Sequence, residues 1–301
     1  MDRLLLRKRI GPRRRMSARR LRPGAFAALC LLACLCLALP ALAAESEPGP
    51  GPGPTSCTIV MAKRDGLTLV GNNEDFNDRR TVILFRPAAG TSHGAVFFGF
   101  SDGYVQGGMN DAGLFVDGNA LEPTGWEPEA GKPTWERDTI KQLLLGCADC
   151  AEVEAFFLKH NVPELGAARF PVADRSGASM VVEYAEGKVR FVRSGTWYLI
   201  ATNFLATTVR GGFYPCARYR LADRMLTFSD RLDISLVEEI LQRTHQEGDS
   251  LTVYSNIYDL QKGTVRVYNL RNFYNPASFS LEEELAKGYR RMPLSSLFAG
   301  H

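Results

Sequence analysis

The chain has 301 residues, of which 45% are hydrophobic, and a formal net charge of +3 at pH 7. The positive charge is concentrated in residues 1–24, which hold ten Lys or Arg and one acidic residue. Without them 26 basic and 32 acidic residues remain, a net charge of −6. This balance leaves no basic patch of the kind that binds nucleic acid, so nucleic acid is not a predicted partner.

Residues 25–39 form an uncharged apolar run that is followed by Pro40 and Ala41–Ala44. A basic region, a short apolar region and an Ala-x-Ala site are the three parts of a secretory signal. A membrane anchor is the alternative, but about 15 apolar residues are fewer than the roughly 20 that span a bilayer. We therefore predict that residues 1–44 are a signal peptide and that the protein is exported, to the periplasm or the medium. No membrane span is expected after cleavage.

Residues 45–56 consist largely of alternating Pro and Gly. Pro removes backbone donors and Gly is entropically costly to order, so this segment is predicted to be a solvated propeptide or tether. It would still cover the backbone nitrogen of Cys57 after signal cleavage. The remaining 245 residues, 57–301, fall within the size range of a single domain and are predicted to form one.

Short runs rich in β-branched and aromatic residues predict strands along this domain. The first two flank a turn at 63–66 and form a predicted hairpin. The predicted strands are Cys57–Ala62, Leu67–Asn72, Thr81–Arg86, Ala95–Phe100, Gly113–Gly118, Phe170–Ala173, Ala178–Tyr184, Lys188–Arg193, Tyr198–Asn203, Leu251–Asp259 and Thr264–Leu270.

Apolar residues at helical spacing predict four helices, and a capping-box pattern after Ser280 predicts a short fifth one. Helices grouped between two sets of hairpin-linked strands favour an α+β domain over alternating βαβ units. The four predicted helices are Trp135–Leu145 with Thr134 as N-cap, Ala151–His160, Pro215–Phe228, and Ile234–His245 with Asp233 as N-cap.

Cys57 is the candidate nucleophile. A cysteine at the first position of a mature chain carries a thiol and an α-amino group, so one residue can supply both the nucleophile and the base that activates it. The reference pKa values of these two groups, about 8.5 and about 7.7, lie close to working pH.

Several motifs occur in a defined order along 57–301. In this order they resemble the linear amide hydrolases of the N-terminal nucleophile superfamily. That group includes choloylglycine hydrolases, penicillin V acylases and acyl-coenzyme A:6-aminopenicillanic acid acyltransferases. The motifs are Cys57–Thr58 with Gly71–Phe76, Met109–Ala120, Asp174–Glu183, Ala201–Phe204, Ala217–Tyr219 and Thr252–Leu260.

The resemblance implies a four-layer αββα sandwich, with two mostly antiparallel sheets between helical layers and Cys57 at the start of a central strand. It implies that Cys57 attacks an amide carbonyl while its α-amino group carries the proton. Asp75 matches the family's aspartate, which holds and orients the α-ammonium. The alternative for Asp75 is a hairpin-end aspartate that accepts nearby backbone N–H groups.

Asn119 and Asn203 match the two asparagines that the family places around the oxyanion. Neutral amide donors suit developing negative charge because they do not titrate. Turn chemistry at strand ends is the alternative for both residues. Arg218 matches a family arginine near the nucleophile, where a fixed cation would favour the thiolate; otherwise it is a surface arginine of the helix predicted at 215–228.

Asn72 departs from part of the family. Bile-salt and penicillin V hydrolases usually carry arginine there, beside the thiol, whereas the acyltransferase branch has an uncharged amide residue. Asn72 therefore tilts the resemblance toward that branch and away from choloylglycine substrates. Asn73 retains the family's asparagine, and Glu74 fills a variable position.

The other cysteines and the histidines predict no cofactor or metal. Cys147 and Cys150 have redox-motif spacing but lie between two predicted helices, without a preceding thioredoxin-like strand. In an oxidising compartment two of Cys147, Cys150 and Cys216 could form a disulfide. The four histidines show no metal-ligand spacing, and no phosphate-binding glycine loop occurs.

The sequence therefore predicts an exported cysteine amidohydrolase. It would cleave the linear amide C–N bond of an N-acylated small molecule through an acyl-enzyme, after removal of the residues before Cys57. The alternatives are an acyltransferase of the same fold, or a catalytically inactive binding protein in which Cys57 stays capped. Loops 122–133 and 204–214 are candidate borders of the substrate pocket.

Overall fold

The computed structural model describes residues 57–298. The predicted signal peptide, 1–44, and the predicted tether, 45–56, lie outside the described residues. Within 57–298 no helix combines the length and the apolar character needed to cross a membrane.

Fifteen strands and five α-helices make up the described region. The strands are β1 (Thr58–Arg64), β2 (Leu67–Asp75), β3 (Thr81–Arg86), β4 (Ala95–Phe100), β5 (Val105–Asn110), β6 (Phe115–Asp117), β7 (Asn119–Ala120), β8 (Ala168–Ala173), β9 (Ser179–Ala185), β10 (Lys188–Val192), β11 (Tyr198–Ala201), β12 (Thr252–Asp259), β13 (Thr264–Asn269), β14 (Ala277–Ser280) and β15 (Arg290–Pro293). The helices are α1 (Thr139–Gly146), α2 (Cys150–Lys159), α3 (Ala217–Thr227), α4 (Ile234–Thr244) and α5 (Leu281–Ala286), with short 3₁₀ turns at Pro163–Gly166, Ala206–Thr208 and Leu294–Phe298.

Two antiparallel sheets are built from these strands. The six-stranded sheet has the order β11-β1-β2-β12-β13-β14. The nine-stranded sheet has the order β10-β9-β8-β6-β5-β4-β3-β15, with the two-residue β7 paired to β8. The strands β1, β2 and β12 lie in the middle of the first sheet, and their side chains are buried almost throughout.

The β1–β2 hairpin places Cys57 within the fold. Asp65 and Gly66 form its turn with φ of 50° and 79°, the left-handed geometry that suits a two-residue hairpin turn. Thr58 pairs with Asn73 across the two strands, so Cys57 lies opposite Glu74. The turn therefore determines which residue of β2 faces the candidate nucleophile.

The sheets and helices form four layers. Apolar side chains from both sheets, among them Ile59, Val70 and Phe98, pack in one core between the sheets. Helices α1 and α2 cover the outer face of the nine-stranded sheet, and α3 and α4 cover the outer face of the six-stranded sheet. This arrangement confirms the predicted α+β class and the αββα sandwich.

Two of the predicted helix starts were wrong. The helix predicted from Trp135 begins at Thr139, where Asp138 is the N-cap and accepts from the Lys141 N–H at 3.0 Å. Thr134 instead forms a β-bridge with Asn161. The helix predicted from 215 begins at Ala217. Ser280 precedes α5 as expected but makes no side-chain capping bond, and the Leu281 N–H donates to the Gly263 carbonyl at 2.8 Å.

The sequence did not predict β5, the two-residue β7, β14 or β15. The segment β5 contains Gly107 and Gly108 and lacks the β-branched run that marks the other strands. Both positions require glycine, because atoms of neighbouring strands lie too close for a Cβ. A Cβ on Gly108 would lie 2.1 Å from the Val96 carbonyl oxygen on the neighbouring strand, and one on Gly107 would lie 1.9 Å from the Asp117 carboxylate.

We expect Gly108→Ala to destabilise the domain by about 1–3 kcal/mol, the usual cost of overpacking, because the blocking atom belongs to the backbone of β4 and cannot move aside. Urea unfolding measures the change. Gly195→Ala is the matched control, since a Cβ there meets no atom within 4 Å. Equal unfolding free energies for the two variants would contradict the close packing of β4 against β5.

Candidate active site

Arg218 connects the residues that the sequence singled out. Its guanidinium donates to the Cys57 carbonyl oxygen at 2.8 Å and to the Thr58 hydroxyl at 2.6 Å. It also donates to the Asn203 side-chain oxygen at 3.1 Å and lies 3.6 Å from the Asp75 carboxylate. The structure therefore brings together four residues that come from the start of β1, the end of β2, the segment after β11 and helix α3. They are Cys57, Asp75, Asn203 and Arg218.

Asp75 is buried at the end of β2. Its carboxylate accepts from the Gln246 amide at 2.9 Å and from the Thr252 hydroxyl. Burial raises the pKa of Asp75 to about 7, against the lowering effects of Thr252, Arg218 and Gln246. Side chains distant in sequence hold this carboxylate, which favours the site interpretation over a purely local hairpin role.

Asn203 links the two sheets. Its amide donates to the Ala120 carbonyl at 2.9 Å. The adjacent Thr202 carbonyl accepts from Arg169, a buried arginine that forms an ion pair with Glu183 at 3.2 Å. This buried pair fixes the chain that carries Asn203 beside the site.

Asn119 is the predicted site residue that the structure leaves outside the Arg218 network. It is fully buried in β7, and neither atom of its side-chain amide has a hydrogen-bond partner within the described region. Its neighbours Gly118 and Ala120 line the cavity at Cys57, so Asn119 lies next to that cavity along the chain.

Glu74 and Asp117 are the residues that sequence reasoning missed. The Cys57 Sγ lies 3.5 Å from Glu74 Oε1. Asn72, on the same face of β2, donates to Asp117 Oδ2 at 3.3 Å. Alternation along β2 could have placed Asn72 and Glu74 on one face. The contact between Asn72 and Asp117 joins the two sheets, and no short sequence pattern predicts it.

Burial and negative charge govern protonation around the sulfur. Burial raises the pKa of the Cys57 thiol well above its usual value; the Glu74, Asp75 and Asp117 carboxyls raise it further, while the Asp75 backbone N–H lowers it. Burial, then the charge of Asp75, raises the pKa of Glu74 to about 8. Burial, then Glu74, raises the pKa of Asp117 well above its usual range. At neutral pH the thiol is therefore protonated, and burial favours the protonated form of Glu74 and of Asp117 as well.

A cavity of about 370 Å³ opens beside Cys57. Its walls are mostly aromatic and aliphatic, and the lining residues described between 57 and 298 include two carboxyl side chains but no Lys or Arg. The remaining lining residues are Phe76, Phe100, Asp102, Tyr104, Gln106, Gly118, Ala120, Ile140, Glu164, Ala167, Ala168 and Phe170. Loops 122–133 and 204–214, the candidate borders of the substrate pocket, contribute none of these lining residues; the turn between β4 and β5 and residues 164–168 contribute instead.

The remaining cysteines are not linked. Cys147, Cys150 and Cys216 are free thiols, so the disulfide considered from the sequence is not formed. Burial raises the pKa of Cys147 to about 12 and that of Cys150 further. Across residues 57–298 no group of three or more His, Cys, Asp or Glu side chains could hold a metal ion.

The fold is similar to three solved hydrolases. A variant of conjugated bile acid hydrolase from Clostridium perfringens is 18% identical, with a TM-score of 0.62 over 79% of this chain and 96% of that one. Penicillin V acylase from Agrobacterium tumefaciens is 16% identical, with a TM-score of 0.57 over 74% and 84%. A Caenorhabditis elegans ortholog of N-acylethanolamine-hydrolyzing acid amidase is 18% identical, with a TM-score of 0.51 over 68% and 93%.

The chain has the N-terminal nucleophile hydrolase fold. The similarity to these structures confirms the fold that the sequence motifs implied. No protein-family model and no curated protein matches the sequence. At this level of identity the similarity establishes the fold, and the chemistry has to be argued from the residues of the site.

We expect the domain to lose stability as pH rises. The folded pKa of Glu74, about 8, lies above the ordinary value of 4.5, so the folded state holds a proton that the unfolded chain releases. This stabilisation is complete below about pH 4.5 and is lost as the pH rises through about 8, at up to about 1.4 kcal/mol per pH unit for one group. Asp75 acts in the same direction up to about pH 7.

Urea unfolding at pH 5.5, 7.0 and 8.5 measures this loss. Glu74→Gln, which mimics the protonated side chain, should flatten the pH dependence while leaving stability at pH 5.5 within about 1 kcal/mol of wild type. Glu282→Gln, at an exposed position of α5, is the control and should behave as wild type. The assignment fails if Glu74→Gln and wild type lose stability in parallel.

Proposed function

We propose that this protein is an amidohydrolase that uses Cys57 as its nucleophile to cleave a linear amide C–N bond of an N-acylated small molecule. The contact that carries the proposal is the Arg218 hydrogen bond to the Cys57 carbonyl. The same guanidinium gathers Asp75 and Asn203 around the residue whose sulfur opens into a cavity. The solved structures of similar fold are named as hydrolases or acylases of amide compounds, in keeping with this chemistry.

The proposal includes export and removal of the residues before Cys57. Its support is the signal-like pattern of residues 1–44 and the position of Cys57 immediately before β1. Cleavage would free the α-amino group of Cys57 as the base. A thiol whose pKa is raised by burial needs such a base, because little thiolate forms without one at neutral pH.

In the first chemical step the α-amino group accepts the thiol proton while Sγ bonds to the amide carbonyl carbon. The carbonyl π electrons move to oxygen and produce a tetrahedral oxyanion. Asn203 and Asn119 are the proposed oxyanion donors. Asn203 donates one of its two amide N–H groups to Ala120 at the cavity wall, and the buried amide of Asn119 has no hydrogen-bond partner within 57–298. Loss of such a donor typically raises the barrier by about 3 kcal/mol.

In the second half of the reaction the C–N bond breaks, the amine leaves with the proton held by the α-ammonium, and a thioester remains on Cys57. Water then adds to the thioester carbonyl, giving its proton to the α-amino group. The intermediate collapses to the carboxylic acid and the thiol. An acyltransferase would follow the same path with another acceptor in place of water.

The cavity favours an apolar acyl group. Phe76, Phe100 and Phe170 line it together with Ile140, and a volume of about 370 Å³ suits a small aryl or short alkyl chain. None of the lining residues within 57–298 is a cation, so among them a substrate carboxylate or sulfonate would be buried without a partner. We therefore propose uncharged acyl groups as substrates.

A second candidate function is a binding protein in which Cys57 stays inert. It is favoured by the burial of the thiol, which is 2% exposed, and by the acidic side chains that raise its pKa. In this case the cavity would bind a small apolar molecule without turning it over. Alkylation separates the two functions, since a terminal thiol activated by its own amine reacts much faster than a capped buried one.

The mature protein should begin at Cys57. N-terminal sequencing and intact-mass measurement of the exported protein check this. Cys57→Ser should lower amide turnover by at least about 100-fold, because the neighbouring amine is matched to a thiol rather than to a hydroxyl, while thermal unfolding stays close to wild type. A mature chain that retains residues 45–56 and still hydrolyses amides would overturn the maturation step.

Apolar acyl groups should be preferred over anionic ones. With a set of anilides that differ only in the acyl terminus, we expect kcat/KM for a phenyl terminus to exceed that for a carboxylate terminus by at least about tenfold, equivalent to roughly 1.4 kcal/mol. Phe170→Ala should raise KM for the phenyl substrate. Phe213→Ala, at an exposed position, is the control. Preference for the carboxylate terminus would contradict the proposed cavity.

A further inference from the structure

Glu74 is the buried acidic side chain closest to the reacting sulfur, and the proposed mechanism leaves it without a role. Its Oε1 lies 3.5 Å from Cys57 Sγ, and its Oε2 has no hydrogen-bond partner within 57–298. The pairing of β1 with β2 imposes this contact, since Cys57 and Glu74 are opposite residues on the face between the sheets. A carboxyl group that touches the nucleophile must influence its charge.

The groups that face Glu74 are neutral or acidic. Cys57 and Asn72 lie on the same hairpin, and Asp75 follows in β2. Tyr254 lies opposite Glu74 on β12, with Tyr258 further along that strand, and both hydroxyl groups are buried. Asp117 comes from β6 in the other sheet.

The cation nearest to Cys57 within the described contacts serves other groups. Arg218 contacts the Cys57 carbonyl, Thr58, Asn203 and Asp75, but no contact joins it to Glu74. Ionising Glu74 and Asp117 together would bury two negative charges on either side of Asn72, and among the described contacts of residues 57–298 no cation pairs with either carboxyl. Such a state is costly, so geometry alone favours at least one shared proton in this cluster.

We propose that Glu74 is a catalytic residue of this centre, whose carboxylic acid donates a hydrogen bond to Cys57 Sγ when the sulfur is ionised and withdraws that support once it loses its own proton. The inference rests on the proposed function of Cys57 as nucleophile. Glu74 is then a second group of the site that can hold a proton, besides the α-amino group. It lies on the face of β2 between the sheets, opposite to the face that carries Asp75 toward Arg218.

The consequence is a nucleophile that is suppressed at high pH. When Glu74 is protonated, its O–H points to the sulfur and stabilises the thiolate. When Glu74 is ionised, the thiol donates its S–H to the carboxylate, and formation of a thiolate would place two negative charges in contact. The pKa of Glu74, raised to about 8 by burial and Asp75, puts this change within reach of ordinary buffers.

The experiment measures the rate of Cys57 alkylation by iodoacetamide between pH 5.5 and 9.5. It uses the full chain as produced, and the Cys57 peptide is quantified by mass spectrometry to separate it from the other thiols. We expect wild type and Glu74→Gln to react at rates within threefold at pH 5.5. At pH 9.5 Glu74→Gln should react at least tenfold faster, because only wild type then carries the neighbouring carboxylate.

Glu282→Gln is the matched control and should follow wild type at every pH. A rate ratio between Glu74→Gln and wild type that does not change with pH would show a merely structural role and overturn the proposal. If Glu74→Gln does not fold, the wild-type plot of the logarithm of the alkylation rate against pH decides. A plateau between two rising segments supports the proposal, and a single rise with unit slope refutes it. Because alkylation needs no amide substrate, absence of turnover would reject the proposed function while leaving this result readable.

Discussion

The antiparallel pairing of β1 with β2 is the constraint on which the candidate site depends. The tight turn at Asp65 and Gly66 sets the register, and the register puts Cys57 opposite Glu74. Alternation then directs Glu74 to the space between the sheets, while Asp75 meets Arg218 from α3. A shift of one residue would exchange these faces and remove both carboxyls from the sulfur. The hairpin therefore determines the chemical surroundings of the nucleophile before any other element packs.

Charge balance is the second determinant. Three buried carboxyls, Glu74, Asp75 and Asp117, surround the sulfur, and Arg218 is the cation that the described contacts place there. Such a cluster is stable only with protons on some of its members, which is why the pKa values of these carboxyls rise. Asn72, which lies on the same face of β2 as Glu74, is an uncharged amide that donates to Asp117 Oδ2. Among the described residues the carboxyls of Glu74 and Asp117 therefore lie on one side of Cys57, and the guanidinium of Arg218 contacts its backbone carbonyl.

Much of the fold could be predicted because its signals are local. The β1–β2 turn, the run of alternating strands and the Asp233 cap of α4 can each be recognised within a few residues, and the structure confirms them. The start of α1 could not be predicted, because Thr134 forms a β-bridge with Asn161, which lies far along the chain. For the same reason Asp75 and Arg218 could be nominated from motifs, whereas the meeting of Glu74 with Asp117 across two sheets could not. Strand β5 escaped prediction because its glycines serve the close approach of neighbouring strands rather than β propensity.

Removal of the residues before Cys57 would change more than access to the thiol. Cleavage would add an α-ammonium group to a centre in which the carboxyls outnumber the nearby cation. Burial raises the pKa of Asp75 to about 7, and Thr252, Arg218 and Gln246 offset only part of this rise. With a second cation beside it, Asp75 would ionise more readily. A negative Asp75 raises the pKa of Glu74, whereas the α-ammonium itself, on the residue whose Sγ contacts Glu74, would lower it. On this argument the proposed maturation and the proposed role of Glu74 are linked, because the cut that frees the base also changes the charges on which the protonation of Glu74 depends.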